Sequence, residues 1–222
     1  MSRVRVLCGG GRYGDPWHDF SGTSEAIANV VEGLGISVEV VSDEPHSLSD
    51  LHGVDLLIVN AGGGHGELPP HDPAWMNAHQ DLAYWMASGG AVLAVHAAYA
   101  TFPEWPEWPR MIGGRFATHD LARFEGVGTF LAMPGAQNHP ILASLPSVIA
   151  RESRTAFLET YPGSEPLLAM VHEESIMPVV WVRGQRLIYD GLGHDVESYQ
   201  SATRRALLGN EVMWLLHQAW RV

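Results

Sequence analysis

An α/β domain built on a doubly wound, mainly parallel sheet is expected from this sequence on three grounds. Short runs dominated by Val, Ile and Leu recur at residues 4–7, 38–41, 56–59 and 91–95, as strands covered on both faces require. Stretches long enough for crossover helices, 24–34 and 72–88, separate them. With 222 residues and 46% hydrophobic content the chain can bury one sizeable core, and no shift of composition marks a second, so residues 1–222 read as a single domain.

Taken in order, the first strand (4–7) exits into "CGGGRYG", and the helix over 24–34 is stopped by Gly35. The second strand is 38–41, and the third (56–59) exits into "NAGGGHG". The next helix, 72–88, carries its own punctuation: Asp72 caps it, Pro73 suits the first turn, and Gly89-Gly90 end it. The fourth strand (91–95) ends directly on His96, in "HAAYA". Beyond it the chain turns Pro- and Trp-rich, and candidate strands at 128–132, 167–171, 179–182 and 187–189 follow with shorter links, so this half is expected to be mixed or antiparallel. The last strand exits into "DGLGHD", and residues 201–220 form a closing helix with Ala206, Met213, Leu216 and Trp220 on the face that packs against the sheet.

Composition narrows the function. The 25 acidic against 13 basic side chains give a formal charge of -12, which repels nucleic acid and anionic lipid. No apolar stretch approaches the roughly 20 residues of a membrane helix. One cysteine, Cys8, forms no internal disulfide, and the opening "RVRVLCGGG" lacks a basic, apolar leader, so a cytoplasmic location is expected. Assembly into a homo-oligomer is compatible with the sequence, though no feature requires it.

In open α/β sheets ligands collect beyond the carboxyl ends of the strands, where the connecting loops diverge. Four histidines stand at such places: His18 after the first strand, His96 after the fourth, His119 after "MIGGRFAT", and His194 after the last. Imidazole titrates near neutrality and ligates metals, so a cluster of them suits proton transfer or a divalent cation, with Asp19 or Asp195 as orienting groups. No H-E-x-x-H or cysteine pair supplies a local zinc site, so a metal needs ligands from distant loops. His46, His52, His71 and His79 read as solvent-facing, His217 belongs to the final helix, and His65 and His139 read as structural. Gly9, Gly11 and Gly14 satisfy G-x-G-x-x-G, but Asp15, Pro16 and Trp17 intervene before any helix, and Asp43 lies beyond the usual acidic spacing, so no dinucleotide is expected.

The order of "VHAA" (95–98), "WPRMIGGRFATH" (108–119), "NHPIL" (138–142), "MPVVWV" (177–182) and "GLGHDVESY" (191–199) resembles the ThuA-like, or trehalose utilisation, family of the class I glutamine amidotransferase-like superfamily. The resemblance runs from about Val4 to Trp220. It implies a flavodoxin-like three-layer α/β/α sandwich in which His96 takes the station where related amidotransferases carry a catalytic cysteine on a tight elbow. Imidazole cannot form the thioester of glutamine hydrolysis, so glutaminase activity is not expected. The chain departs from the family's pattern at Tyr99-Ala100, at the long first loop and at "ESRTAFLET", where Glu152 and Glu159 stand only near the expected acidic position.

The resulting expectation is an enzyme of carbohydrate utilisation acting on a sugar or oxidised sugar. His18, His96, His119 and His194 are the catalytic candidates; Gly10, Asp19, Tyr99, Trp105, Asp195 and Tyr199 are the candidate substrate contacts. Trp105, among the prolines of "FPEWPEWPRM", offers an indole face to a sugar. The alternatives are a non-catalytic ligand-binding or regulatory domain on the same scaffold, and a metal-dependent hydrolase.

Overall fold

The computed structural model describes residues 2–63, 70–116, 122–156, 158–172 and 175–219. In chain order the strands are β1 (Arg3–Cys8), β2 (Ser37–Ser42), β3 (Leu56–Asn60), β4 (Ala91–Val95), β5 (Gly114–Phe116), β6 (Ala122–Ala132), β7 (Ser147–Ala156), β8 (Leu158–Thr160), β9 (Ser164–His172), β10 (Ser175–Arg183) and β11 (Leu187–Asp190). The α-helices are α1 (Phe20–Gly33), α2 (Pro45–Ser49), α3 (Pro73–Ala87), α4 (Trp108–Ile112) and α5 (Ala202–Ala219). Among the described residues a nine-stranded sheet runs β2-β1-β3-β4-β11-β10-β9-β6-β7, and β5 pairs with β8 beside it. The first five strands in that order are parallel, and from β10 outward every pairing is antiparallel. The expected parallel first half is present, and the second half is mixed: β11 runs parallel to β4, and its other strands in the large sheet are antiparallel.

Alternation along the strands decides the layers. In β1, Val4 and Val6 join Ile27 and Val31 of α1 and Leu208 and Val212 of α5 on one face, while Leu7 joins Leu48 of α2 and Leu82 of α3 on the other. β3 and β4 are buried along their whole length, as their unbroken apolar runs require. Asp72 caps α3 by accepting from the Ala74 N–H at 2.9 Å, with Pro73 in the first turn. No helix among the described residues is long and apolar enough to cross a membrane.

Two expectations are corrected. β7 lies in a segment whose short apolar run breaks at Arg151-Glu152, and no strand is expected there from sequence. Of the residues expected to face inward, Leu216 does, together with Arg204, Leu207, Leu208, Glu211, Val212 and Leu215, whereas Ala206 and Met213 face outward; Trp220 lies outside the described residues. The helix is rotated because Arg204 finds an ion-pair partner in the core, with Glu211 buried on the same face. Arg204 Nη2 stands 2.6 Å from Asp190 Oδ2 at the end of β11, and its guanidinium lies over the Tyr199 ring at 4.9 Å. Burial, followed by the Asp190 carboxylate nearby, pushes the Glu211 carboxyl well above the usual range.

Candidate active site at the strand exits

The strand order puts the exits of β1, β4 and β11 on one edge of the sheet, and each delivers one histidine. His96 follows β4 directly with φ at +46°, a left-handed conformation that non-glycine residues seldom adopt. It opens a short 3₁₀ turn, His96–Tyr99, in which Ala97 and Ala98 are buried; larger side chains there would push the turn off the sheet. The Tyr189 hydroxyl donates to the His96 carbonyl at 2.7 Å and ties the elbow to β11.

Ring orientation follows from what each nitrogen faces. His96 Nδ1 lies 3.2 Å from the Gly191 carbonyl, which only accepts, so this nitrogen carries the hydrogen and Nε2 presents its lone pair. His18 Nδ1 lies 2.7 and 2.8 Å from the two Asp15 oxygens, so Nδ1 carries a hydrogen, and in the neutral ring Nε2 is the acceptor. His96 Nε2 stands 3.2 Å from His18 Nε2 and 3.1 Å from His194 Nδ1. The three rings are all half-buried, with centroids 4.7 to 5.1 Å apart and planes inclined by 65° to 72°.

The loop that carries His194 is held from beneath. Glu152, on the inward face of β7 and 1% exposed, accepts from the Gly193 N–H at 2.9 Å, the His194 N–H at 3.2 Å and the Ser198 hydroxyl at 2.5 Å. Burial pushes its carboxyl above the usual range, and those donors with the Arg204 guanidinium offset part of that rise. Gly193, with φ at +105°, passes directly over the buried Tyr199 hydroxyl, where a Cβ would collide. Beside His18 opens a hollow of 330 Å³ lined by Gly9, Gly10, Gly11, Asp15 and Asp19 among others.

A family model described as ThuA, trehalose utilisation, matches residues 5–215. The chain belongs to the ThuA family. Two solved ThuA-like proteins share the fold. One, from Bacteroides uniformis, is 17% identical with a TM-score of 0.70, covering 96% of this chain and 91% of that one. The other, from Parabacteroides merdae, is 14% identical with a TM-score of 0.75, covering 98% and 90%. A glutamine amidotransferase from Thermotoga maritima, 8% identical, superposes with a TM-score of 0.63 over 100% of this chain and 99% of its own. This ThuA-family member therefore shares its fold with a glutamine amidotransferase. A search of curated protein sequences returned no match.

Of the catalytic candidates, His18, His96 and His194 come together, and His119 lies outside the described residues, as does His65. Asp19 does not orient His18. Its carboxylate caps α1 through the Gly22 N–H at 2.8 Å, and Asp15 takes the orienting place. Asp195 instead accepts from the Glu197 and Ser198 N–H groups and shapes its own turn. Tyr199, 4% exposed, supports the Gly193 loop from the core rather than lining the hollow, whereas Gly10 is exposed on its wall. Tyr99 is half-buried and stacks on Phe116. Trp105 is half-buried and stacks on His79 at 5.0 Å, while Trp108 is buried and donates to the Ala98 carbonyl.

His79 is a correction: it is 5% exposed, with Nε2 3.2 Å from the Tyr13 hydroxyl, and burial lowers its pKa. His139 Nδ1 accepts from the Ile141 N–H, a bond within its own turn. Asp43 is occupied by the Gly11 and Tyr13 N–H groups, and α1 starts only at Phe20, beyond Asp15, Pro16 and Trp17. Sequence alone did not single out Asp15, Glu152 or the Gly191 carbonyl for these places. Asp15 was signalled only by its position three residues before His18, and Glu152 by an acidic residue falling at an inward position of β7.

Proposed function

We propose that this ThuA-family protein is an enzyme acting on a sugar or oxidised sugar, with His18, His96 and His194 as its reacting centre. The observation that carries the reading is the convergence of three imidazole nitrogens, delivered by loops 78 and 98 residues apart, beside a hollow large enough for part of a saccharide. Structural histidines do not need neighbours of this kind. The family's description, trehalose utilisation, supplies the substrate class.

The chemistry suited to the cluster is activation of an O–H group: a substrate hydroxyl or a water brought over His96 gives up its proton, and charge develops next to a polarised carbonyl or glycosidic oxygen. Asp15 and the Gly191 carbonyl keep two of the lone pairs aimed at that point. Glutamine hydrolysis is not the activity. It needs a thiolate at the elbow, and Cys8 instead ends β1, with Sγ 3.3 Å from the Phe20 carbonyl and its pKa raised first by burial.

Steady-state kinetics on trehalose, other disaccharides and their keto derivatives tests the proposal. His96→Ala and His194→Ala are each expected to lower kcat/KM on the turned-over sugar by about 100-fold or more. Unchanged kcat/KM in both variants would remove these histidines from the reacting centre, and no turnover of any of these sugars by the wild type would leave a ligand-binding domain.

A further inference from the structure

We infer that His18, His96 and His194 are the ligands of a divalent transition-metal ion, with Asp15 and the Gly191 carbonyl fixing the tautomers that hold it. The inference rests on reading this cluster as the reacting centre and states what occupies its middle: the inward lone pairs would then hold an ion that acidifies the O–H group, rather than take its proton themselves.

Lone pairs provide the first reason. His18 and His96 both commit Nδ1–H outward, to the Asp15 carboxylate and the Gly191 carbonyl, so their Nε2 atoms face each other at 3.2 Å as two acceptors. That approach needs a positive centre between them. A proton bridges two nitrogens, but here a third, His194 Nδ1, lies 3.1 Å from His96 Nε2 in the same cluster. A metal ion satisfies all three at once.

Dimensions provide the second. Zinc–imidazole bonds of about 2.0–2.1 Å in tetrahedral array place ligand nitrogens about 3.3 Å apart and ring centroids about 5.2 Å apart. The two nitrogen separations centred on His96 are 3.2 and 3.1 Å, and the ring centroids are 5.0, 4.7 and 5.1 Å apart. The mutual tilts of 65° to 72° are those of three rings arranged like propeller blades around one point. Neutral imidazoles select zinc, copper, iron or nickel over magnesium or calcium, which require oxygen ligands.

The surroundings provide the third. A histidine ligand commonly donates its other N–H to a carboxylate or carbonyl, which fixes the ring and raises its basicity. Asp15, with its side chain 5% exposed, does this for His18. The strained elbow at His96 and the Glu152 bonds behind His194 hold the other two. Among the described residues the cluster offers three ligands, the number that catalytic rather than structural zinc sites draw from the protein.

The test uses untagged, chelator-stripped protein titrated calorimetrically with ZnCl₂ at neutral pH, with Co²⁺ absorbance as a second readout. The expected result is one ion per chain, loss of that site in His96→Ala and His194→Gln, binding weakened about 10–100-fold in Asp15→Asn, and His139→Gln binding as wild type. Circular dichroism establishes that each variant is folded, and Asp15→Asn decides should a ligand variant fail to fold. Absence of stoichiometric binding in the wild type, or undiminished binding in folded His96→Ala, overturns the metal site. If the wild type binds no ion yet His96→Ala loses sugar turnover, the metal falls and the reacting centre stands; if the ion binds and His96→Ala keeps full turnover, the metal site stands and the reacting centre falls.

Discussion

Replacing Glu152 with alanine asks whether the His194 loop is held in place by one buried carboxylate. Three donors, the N–H groups of Gly193 and His194 and the Ser198 hydroxyl, converge on it inside the core. Each buried donor left without a partner costs about 1–3 kcal/mol, and water entering the vacated space recovers part of that, so the net loss should be about 3–5 kcal/mol. For a chain of this size that is a fall in Tm of about 6–20 °C. Glu152→Gln keeps one accepting oxygen but turns an amide N–H₂ toward a donor, so it should fall between wild type and alanine. Thermal melts of the three proteins, with kcat/KM measured well below each Tm, give the comparison. Displacement of His194 by about 1 Å should lower kcat/KM about 100-fold. An alanine variant melting within about 2 °C of wild type would show that this carboxylate does not hold the loop, because three unpaired buried donors cannot be that cheap.

Three further outcomes follow from the same geometry. At His96, with φ at +46°, glycine should be more stable than alanine by roughly 1 kcal/mol, reversing the ordering found in helices, and urea unfolding of His96→Gly and His96→Ala measures it. Glu211 keeps its proton in the folded state because burial and Asp190 raise its pKa, so its stabilising effect is full below the usual carboxylate range and is lost as pH rises through the raised value; Glu211→Gln should be more stable than wild type at mildly alkaline pH, with a flatter stability–pH curve. Arg204→Met strands the Asp190 carboxylate, which stands 2.6 Å from Nη2, and should cost about 3–5 kcal/mol by chemical denaturation.

Much of the architecture was legible because parallel strands announce themselves. The runs at residues 91–95 and 56–59 had to be buried on both faces, and they are. Capping made α3 readable to within a residue, through Asp72 and Pro73. Legibility failed where a charged side chain occupied a core position. β7 alternates Val148, Ala150 and Glu152 inward, so its apolar signal is interrupted by the very residue that supports the site. The phase of α5 was misread for the same reason, since Arg204 and Glu211 are buried against Asp190 rather than exposed. His79 sat among polar neighbours in sequence, and only the tertiary fold brings Tyr13, Phe102 and Trp105 over it.

At the site, proximity in sequence proved a poor guide to partnership. Asp19 adjoins His18, yet the start of α1 claims it as a cap, and the preceding turn brings Asp15 to Nδ1 instead. The convergence of His18, His96 and His194 was readable in outline from strand exits, because the topology of an open parallel sheet gathers those loops. Which ring nitrogens face inward was not, since that is decided by Gly191 and Asp15, neither of which carries a recognisable motif.

X-ray absorption at the zinc edge of the loaded, untagged protein looks straight at the middle of the histidine cluster. Three imidazole nitrogens at about 2.0–2.1 Å in the wild type, and no zinc retained in His96→Ala, are expected. A bound ion surrounded by carboxylate oxygens, or a spectrum that His96→Ala leaves unchanged, would contradict it.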